Sequence, residues 1–332
     1  SEFGSFIKGD TLYYTSFKFP KDKKKESDRL YNKLLISVNG EESELWDEVN
    51  ETDRHTAHTA FNTDNSRFYY TICEYKEKTG AEITCEIYYR DREANGSWSA
   101  PVRLPEHINM PEFTATHPAI GLDQNTGMEY LFFSSDRPGG QGESDIWWSA
   151  IAEDGTLGQP ENLEAINTRY NDITPFFHNP SQTLFFSSEG HQGLGAYDVF
   201  KTEKRADDWG AIENMGYPVN SSFNDIYFAL NEEGDQGYFS SNRYGSFFME
   251  KENKICCNDL YAAEFDLSVE FLALTLDALS DMDLLGATVE IYELTEDGKE
   301  VLIDTKTNAL DNTFKFRVFR RKKYVIRALR DG

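Results

Sequence analysis

Short runs of aliphatic and aromatic residues, each bounded by Gly, Asn, Asp or Pro, follow one another along most of the chain. These runs are strand length and rich in Phe, Tyr, Trp, Ile and Val, so the pattern predicts β-structure. No long segment keeps apolar residues at helical spacing. One stretch recurs. "LYYTSF" then "DRLY", "FYYTIC" then "EIYY", "LFFSSDR" then "DIWW", "LFFSSEG" then "DVFK", and "GYFSSNR" then "DLYA" share one order: an aromatic pair, small hydroxyl residues, a turn of variable length, then an acidic residue and a second apolar run. The leading aromatics are Tyr13, Tyr69, Phe132, Phe185 and Tyr238, spaced by 56, 63, 53 and 53 residues.

The acidic positions of the repeat are Asp28, Glu86, Asp145, Asp198 and Asp259. Between the units a Val/Ile-Asn dipeptide recurs at Asn50, Asn109, Asn167 and Asn220, with an apolar run about eight residues later. Each unit therefore reads as about four short strands. Four strands repeated at this period predict an all-β fold, a five-bladed β-propeller, with aromatic side chains filling the interfaces between blades. Residues present in every unit are expected to serve the repeat itself. The Gly-rich "RPGGQGE" becomes a hairpin between two strands of one blade. It does not match GxxxxGK[ST], and a phosphate cradle is not expected.

The character changes near residue 266. "ATVEIYEL", "TFKFRVF" and "KYVIRAL" alternate apolar and polar positions, and "TEDGKE" is a hairpin signal, which predicts a separate C-terminal β-sandwich. The expected organisation is 6–266 propeller and 267–332 sandwich. Residues 1–5, "SEFGS", read as a cloning remnant. "Ser-Ser" of the fifth unit passes through "DLYAAEF" into the sandwich without a fourth-strand signature, so the missing outer strand is expected from the N-terminal stretch, or its edge is expected to be covered by the sandwich.

The chain has 332 residues, 14% of them aromatic, and a net charge of −25. Such an acidic surface excludes a nucleic-acid binder and disfavours docking on anionic lipid. Against that background "KDKKKE", with Lys23, Lys24 and Lys25, and "RVFRRKK" stand out. The long hairpin of the fifth unit carries Phe247, Phe248 and Met249. These two loops are the candidate partner contacts. Cys73 and Cys85 flank a turn and can bridge if they face each other; four free thiols are the alternative. Cys256 and Cys257 are adjacent. There is no CxxC, and a zinc ribbon is not expected.

Candidate chemistry is sparse. No Gly-x-Ser-x-Gly or HExxH occurs. His55, His58 and His117 open neighbouring units and offer a conceivable metal site, with polar lining of a central channel as the plainer reading. Asp172, Asp225 and Glu112 precede the apolar runs, where carboxylates of a glycosidase would sit. Asp172 and Asp225 align with each other and so belong first to the repeat. No catalytic residue, metal or cofactor is assigned.

"HPAIGLDQNTGMEYLFFSSDRPGGQGESDIWWS" followed by "ENLEAINTRYND" resembles the PD40, or WD40-like, repeat of TolB-type propellers. "DLLGATVEIYE" in the tail resembles the carboxypeptidase regulatory-like domain. The combination is similar to PorE-type OmpA-family lipoproteins of the type IX secretion system. That resemblance implies a non-enzymatic periplasmic scaffold associated with the outer membrane. Its partners would be envelope proteins, and peptidoglycan would be reached only through a domain outside this sequence. The alternative is a carbohydrate-binding or glycan-hydrolysing propeller.

Overall fold

The computed structural model describes residues 1–17, 31–77, 82–206, 208–246, 258–295, 297–319 and 322–330. Lys23, Lys24, Lys25, Asp28, Phe247, Phe248, Met249, Cys256 and Cys257 lie outside them. The chain divides into two compact units, Ser1–Glu264 and Phe265–Gly332.

The first unit consists of five antiparallel sheets, each built from one contiguous stretch. Blade 1 holds β1 (Glu2–Lys8), β2 (Thr11–Ser16), β3 (Lys33–Val38) and β4 (Glu44–Leu45). Blade 2 holds β5 (His55–Phe61), β6 (Arg67–Tyr75), β7 (Ile83–Asp91) and β8 (Val102–Arg103). Blade 3 holds β9 (Ala115–Leu122), β10 (Glu129–Ser135), β11 (Asp145–Ile151) and β12 (Glu161–Asn162). Blade 4 holds β13 (Asp172–His178), β14 (Thr183–Ser188), β15 (Asp198–Arg205), β16 (Asp208–Trp209) and β17 (Glu213–Asn214). Blade 5 holds β18 (Asp225–Leu230), β19 (Gln236–Ser241) and β20 (Asp259–Glu264). This is the five-bladed propeller that the repeat predicts.

Two details concern the ends of the ring. Residues 1–5 take part in the fold. Glu2–Lys8 form the inner strand of blade 1, and Ser1 and Ser5 are buried. The N-terminal stretch therefore does not supply a fourth strand to blade 5, which has three strands among the described residues. The ring closes by contact between blade 1 and blade 5: Glu2 N donates to Asn258 O at 2.7 Å, and Ser5 Oγ to Tyr227 O at 3.3 Å.

The aromatic pair explains the packing. Successive strand residues point to opposite faces. On β6, Phe68 and Tyr70 therefore join Leu34, Trp46 and Val49 of blade 1, while Tyr69 joins Leu131, Phe133 and Trp147 of blade 3. On β10 the same division sends Phe132 towards Phe177, Leu184 and Phe186 of blade 4. Strands apolar on both faces are what a sheet buried on both sides requires.

The asparagines do the work of missing strand residues. Asn50 pairs with both backbone groups of Leu34 at 2.8 Å, and Asn109 with those of Ile87 at 2.8 Å. Asn167 does the same to Ile146, and Asn220 to Val199. Each amide satisfies the buried N–H and shares the C=O with one backbone donor: Trp46 N, Leu104 N, Leu163 N and Met215 N reach the same four carbonyls at 3.0–3.1 Å.

The acidic positions immediately precede those residues. Asp145 accepts from Gly142 N at 3.0 Å, Gln141 N and Asn162 Nδ2, so it ties its own hairpin. Asp198 does this for Leu194 N and Gly195 N. Glu86 instead forms a bidentate pair with Arg103 at 2.9 and 2.7 Å. Asp259 opens β20 opposite Ser241. In blade 1 the matching station is Lys33, opposite Ser16.

Cys73 and Cys85 face each other across β6 and β7 and are joined by a disulfide.

The second unit has two sheets: β21 (Ser268–Leu274) with β24 (Thr313–Phe319), and β22 (Ala287–Leu294) between β23 (Glu300–Asn308) and β25 (Lys323–Leu329). Val289, Ile291, Phe314, Phe316 and Val318 form its core. Lys322, from the basic cluster of the tail, pairs with Glu293 at 2.8 Å.

Candidate functional site: the propeller axis

The five inner strands share a distortion. Each carries a bulge, and at each bulge one residue takes the left-handed conformation: Gly4, His58, His117, Thr174 and Tyr227, with φ between 49° and 64°. For the four that are not glycine, such a backbone costs of order 1–3 kcal/mol each. The bulge turns these residues into the axis, where they meet. The ring centroids of His58 and His117 are 4.4 Å apart, and His58 stacks on Tyr227 at 5.3 Å. Phe3 packs on both His58 and Tyr227. These rings plug the channel.

Hydroxyls at one station of the second strands hold the plug. Thr15 Oγ1 accepts from His58 N at 3.2 Å, and Ser134 Oγ from Thr174 N at 3.2 Å. Ser134 Oγ also meets His117 Nδ1 at 3.1 Å, and the other ring nitrogen of His117 meets Tyr227 Oη at 3.1 Å. Burial holds the His117 imidazole neutral, with its pKa lowered to about 3. His58 is pushed well below its ordinary value by burial and by His117. Burial raises the Tyr227 phenol. The hub is therefore polar and uncharged at neutral pH.

Beyond the plug, towards the ends of the inner strands, the axis widens. A cavity of about 50 Å³ touches His58, Thr59, His117, Thr174 and Tyr227. Outside it lies a funnel of about 230 Å³ walled by Phe6, Phe61, Phe176 and Phe177 and edged by Lys8, Asn62, Thr63, Asn65, Asn179 and Glu232. Phe6, Ile120, Phe176 and Phe177 line both, so the small cavity is the floor of the funnel. Phe6 and Phe61 are 5.5 Å apart, and the Lys8 ammonium lies 4.7 Å above the Phe61 ring. Burial lowers the Lys8 pKa against the pull of Glu232 and Asp64.

The carboxylates named from the sequence lie at the opposite mouth, where the inner strands begin. Asp225 is buried, accepts from Ser221 N at 2.6 Å and pairs with Arg243 at 2.6 Å. Asp172 is buried and accepts from Thr168 N, while its Oδ1 has no partner; burial raises its pKa. Both occupy the same station of neighbouring blades and hold the loops that enter them. Glu112 is exposed on such a loop. Of the three histidines, His58 and His117 come together and His55 does not. His55 accepts from Asn32 N at 3.0 Å and packs on Tyr31 and Tyr75. Among the described residues there is no group of three His, Cys, Asp or Glu able to hold a metal ion.

A wider cleft of about 490 Å³ lies to the side, between blades 2 and 3. Its one guanidinium, Arg67, is taken up by Asp91 at 2.6 and 3.1 Å.

Sequence reasoning missed the funnel because its walls are contributed by separate blades. The only local trace was the prolines that follow His117 and Thr174, which mark irregular inner strands.

No family model and no curated protein matches the sequence. Solved structures share the fold. An alpha-L-arabinofuranosidase from Lactobacillus brevis superposes with a TM-score of 0.50 at 9% identity, over 81% of this chain and 88% of that one. A GH43 endo-arabinanase from Bacillus licheniformis gives 0.45 at 11%, over 82% and 93%. A xylan beta-1,4-xylosidase from Bacillus halodurans C-125 gives 0.46 at 10%, over 98% and 85%. These likenesses correct the expectation of a PD40 or PorE-type protein. The likeness to the alpha-L-arabinofuranosidase, at a TM-score of 0.50, overturns the expectation of a non-enzymatic envelope scaffold of the type IX secretion system. The repeat residues that carried the resemblance serve hairpins and blade packing, which any propeller needs.

Proposed function

We propose that the chain is a carbohydrate-active propeller that seats a saccharide in the axial funnel and hydrolyses a glycosidic bond at its mouth. The observation that carries this reading is the funnel's make-up: aromatic walls from Phe6, Phe61 and Phe176 beneath an edge of amides and a hydroxyl. A sugar ring offers an apolar C–H face, which suits an aromatic wall, and a belt of hydroxyls, which suits Asn62, Thr63, Asn65 and Asn179. The fold is also one on which an alpha-L-arabinofuranosidase is built.

Hydrolysis calls for two carboxyl groups flanking the bond. Glu232 lines this funnel, Asp64 lines the neighbouring side cleft, and both act on Lys8. Hydrogen bonds from Ser66 keep the Asp64 carboxyl below its ordinary value, which suits the group that activates water. Arabino-, xylo- and galacto-oligosaccharides test the reading by release of reducing ends. Turnover that falls at least ~100-fold in Glu232→Gln and in Asp64→Asn supports it. Absence of turnover and binding in the intact chain, or turnover indifferent to both changes, rejects it.

A further inference from the structure

The floor of the funnel holds polar atoms that nothing in the protein satisfies. His58 Nε2 and Thr59 Oγ1 are buried, have no hydrogen-bond partner, and belong to side chains lining the 50 Å³ cavity. His58 and Thr59 are 8% and 5% exposed. An unpartnered buried donor or acceptor costs about 1–3 kcal/mol, so two beside one cavity mark a place where another molecule supplies the partners. The other polar groups there are committed: Thr174 Oγ1 donates to Ser187 Oγ at 2.8 Å, and Tyr227 Oη meets His117 at 3.1 Å.

We infer that this cavity reads a terminal, uncharged hydroxyl or hydroxymethyl group, with His58 Nε2 and Thr59 Oγ1 as its two contacts. The chemistry selects the class. Neither imidazole at the hub is protonated at neutral pH, and no carboxylate or ammonium lines the cavity, so an ion would be desolvated without compensation. His58 Nδ1 meets the Thr116 hydroxyl at 3.4 Å, and Nε2 donates or accepts according to the tautomer. The Thr59 hydroxyl accepts or donates by rotation. A hydroxyl, which does both, satisfies the pair. The volume holds such a group or a few waters, and no sugar ring. Because Phe3, His58 and Tyr227 close the far side, whatever enters does so end first. Hence the site recognises a chain end and not the middle of a polymer.

This specificity rests on the saccharide reading of the funnel, and the experiment separates the two. Full-length protein with ¹⁵N-labelled histidine is titrated with glycerol, then with arabino- and xylo-oligosaccharides, free or O-methylated at the terminal residue. The expected result is a saturable shift of the His58 Nε2 resonance with glycerol and with free ends. Thr59→Val, nearly isosteric and at home in a strand, should weaken binding of free ends about tenfold and leave methylated ends unchanged. Its melting temperature reports that the fold is kept. A glycerol response without oligosaccharide binding keeps the floor site and discards the saccharide funnel. Oligosaccharide binding that ignores Thr59→Val and leaves His58 unshifted discards the floor site and keeps the funnel. No response to either probe discards both.

Discussion

The side-chain amide of Asn167 pairs with Ile146 through both of its polar atoms, at 3.0 Å to the N–H and 2.8 Å to the carbonyl. One side chain thereby replaces a residue of the outer strand at the point where the chain leaves the sheet. Asn167→Ala should strand the Ile146 N–H in the core, since the Ile146 carbonyl still accepts from Leu163 N at 3.0 Å, and cost about 1–3 kcal/mol, read as a lower urea midpoint. Asn220→Ala should behave alike, since Val199 is held in the same way.

The hairpin glycines of blades 3 and 4 touch the loops that enter the next blade. A Cβ on Gly142 would lie 1.9 Å from Tyr170 O, and one on Gly195 the same distance from Phe223 O. Both obstacles are backbone. Gly142→Ala and Gly195→Ala should therefore cost about 1–3 kcal/mol or more, by forcing neighbouring blades apart. Gly158→Ala, whose nearest neighbour would be 3.6 Å away, should change stability by less than about 0.5 kcal/mol. Equal effects at all three positions would contradict the blade contact.

Acid should weaken the hub and the His55 cluster beside Tyr31 and Tyr75. His117 is lowered to about 3, His55 to about 4, and His58 well below its ordinary value, all chiefly by burial. A histidine with a depressed folded pKa contributes its full stability above the unfolded value near 6.5 and loses it as pH falls towards the folded one. Urea midpoints should drop between pH 6.5 and 4. His117→Asn, which tolerates the left-handed backbone, should flatten that drop.

Asp172 should show the opposite sign. Burial raises its pKa above 3.8, so its contribution is complete below that value and is lost as pH rises through the folded one. Asp172→Asn should be at least as stable as the natural chain at pH 7, and the advantage should vanish at pH 3. A variant less stable at pH 7 than at pH 3, relative to the natural chain, would show that the ionised form is favoured.

The disulfide between Cys73 and Cys85 closes a loop with a sequence separation of 12. Removing it frees that segment in the unfolded chain, worth about 3 kcal/mol. Dithiothreitol, or Cys73→Ser with Cys85→Ser, should lower the melting temperature by roughly 5–10 °C.

The repeat made most of the propeller legible. Tyr69, Phe132, Phe185 and Tyr238 share one station, opposite Ala60, Ala119, Phe176 and Ala229, as their spacing implies. Asn50 to Asn220 were readable as repeat residues, because a backbone-mimicking amide must recur wherever the strand ends. The site was not legible in this way. Phe6, Phe61, Phe176 and His58 look like ordinary strand residues, and only closure of the ring brings them to one axis. The bulge that aims His58 inwards depends on backbone conformation, which His, Thr and Tyr do not advertise as glycine does.

Among the described residues each blade is drawn from one segment of the chain, and no sheet borrows a strand from the other end. Every hydrogen-bonded ladder can therefore mature as its own segment emerges from the ribosome, with little loop closure to overcome. The one long-distance event left for the end is the meeting of β1 with blade 5. That junction is made by side chains and a few hydrogen bonds, so assembly of the wheel should be stepwise, with the joining of its first and last spokes as the slow and most easily reversed step.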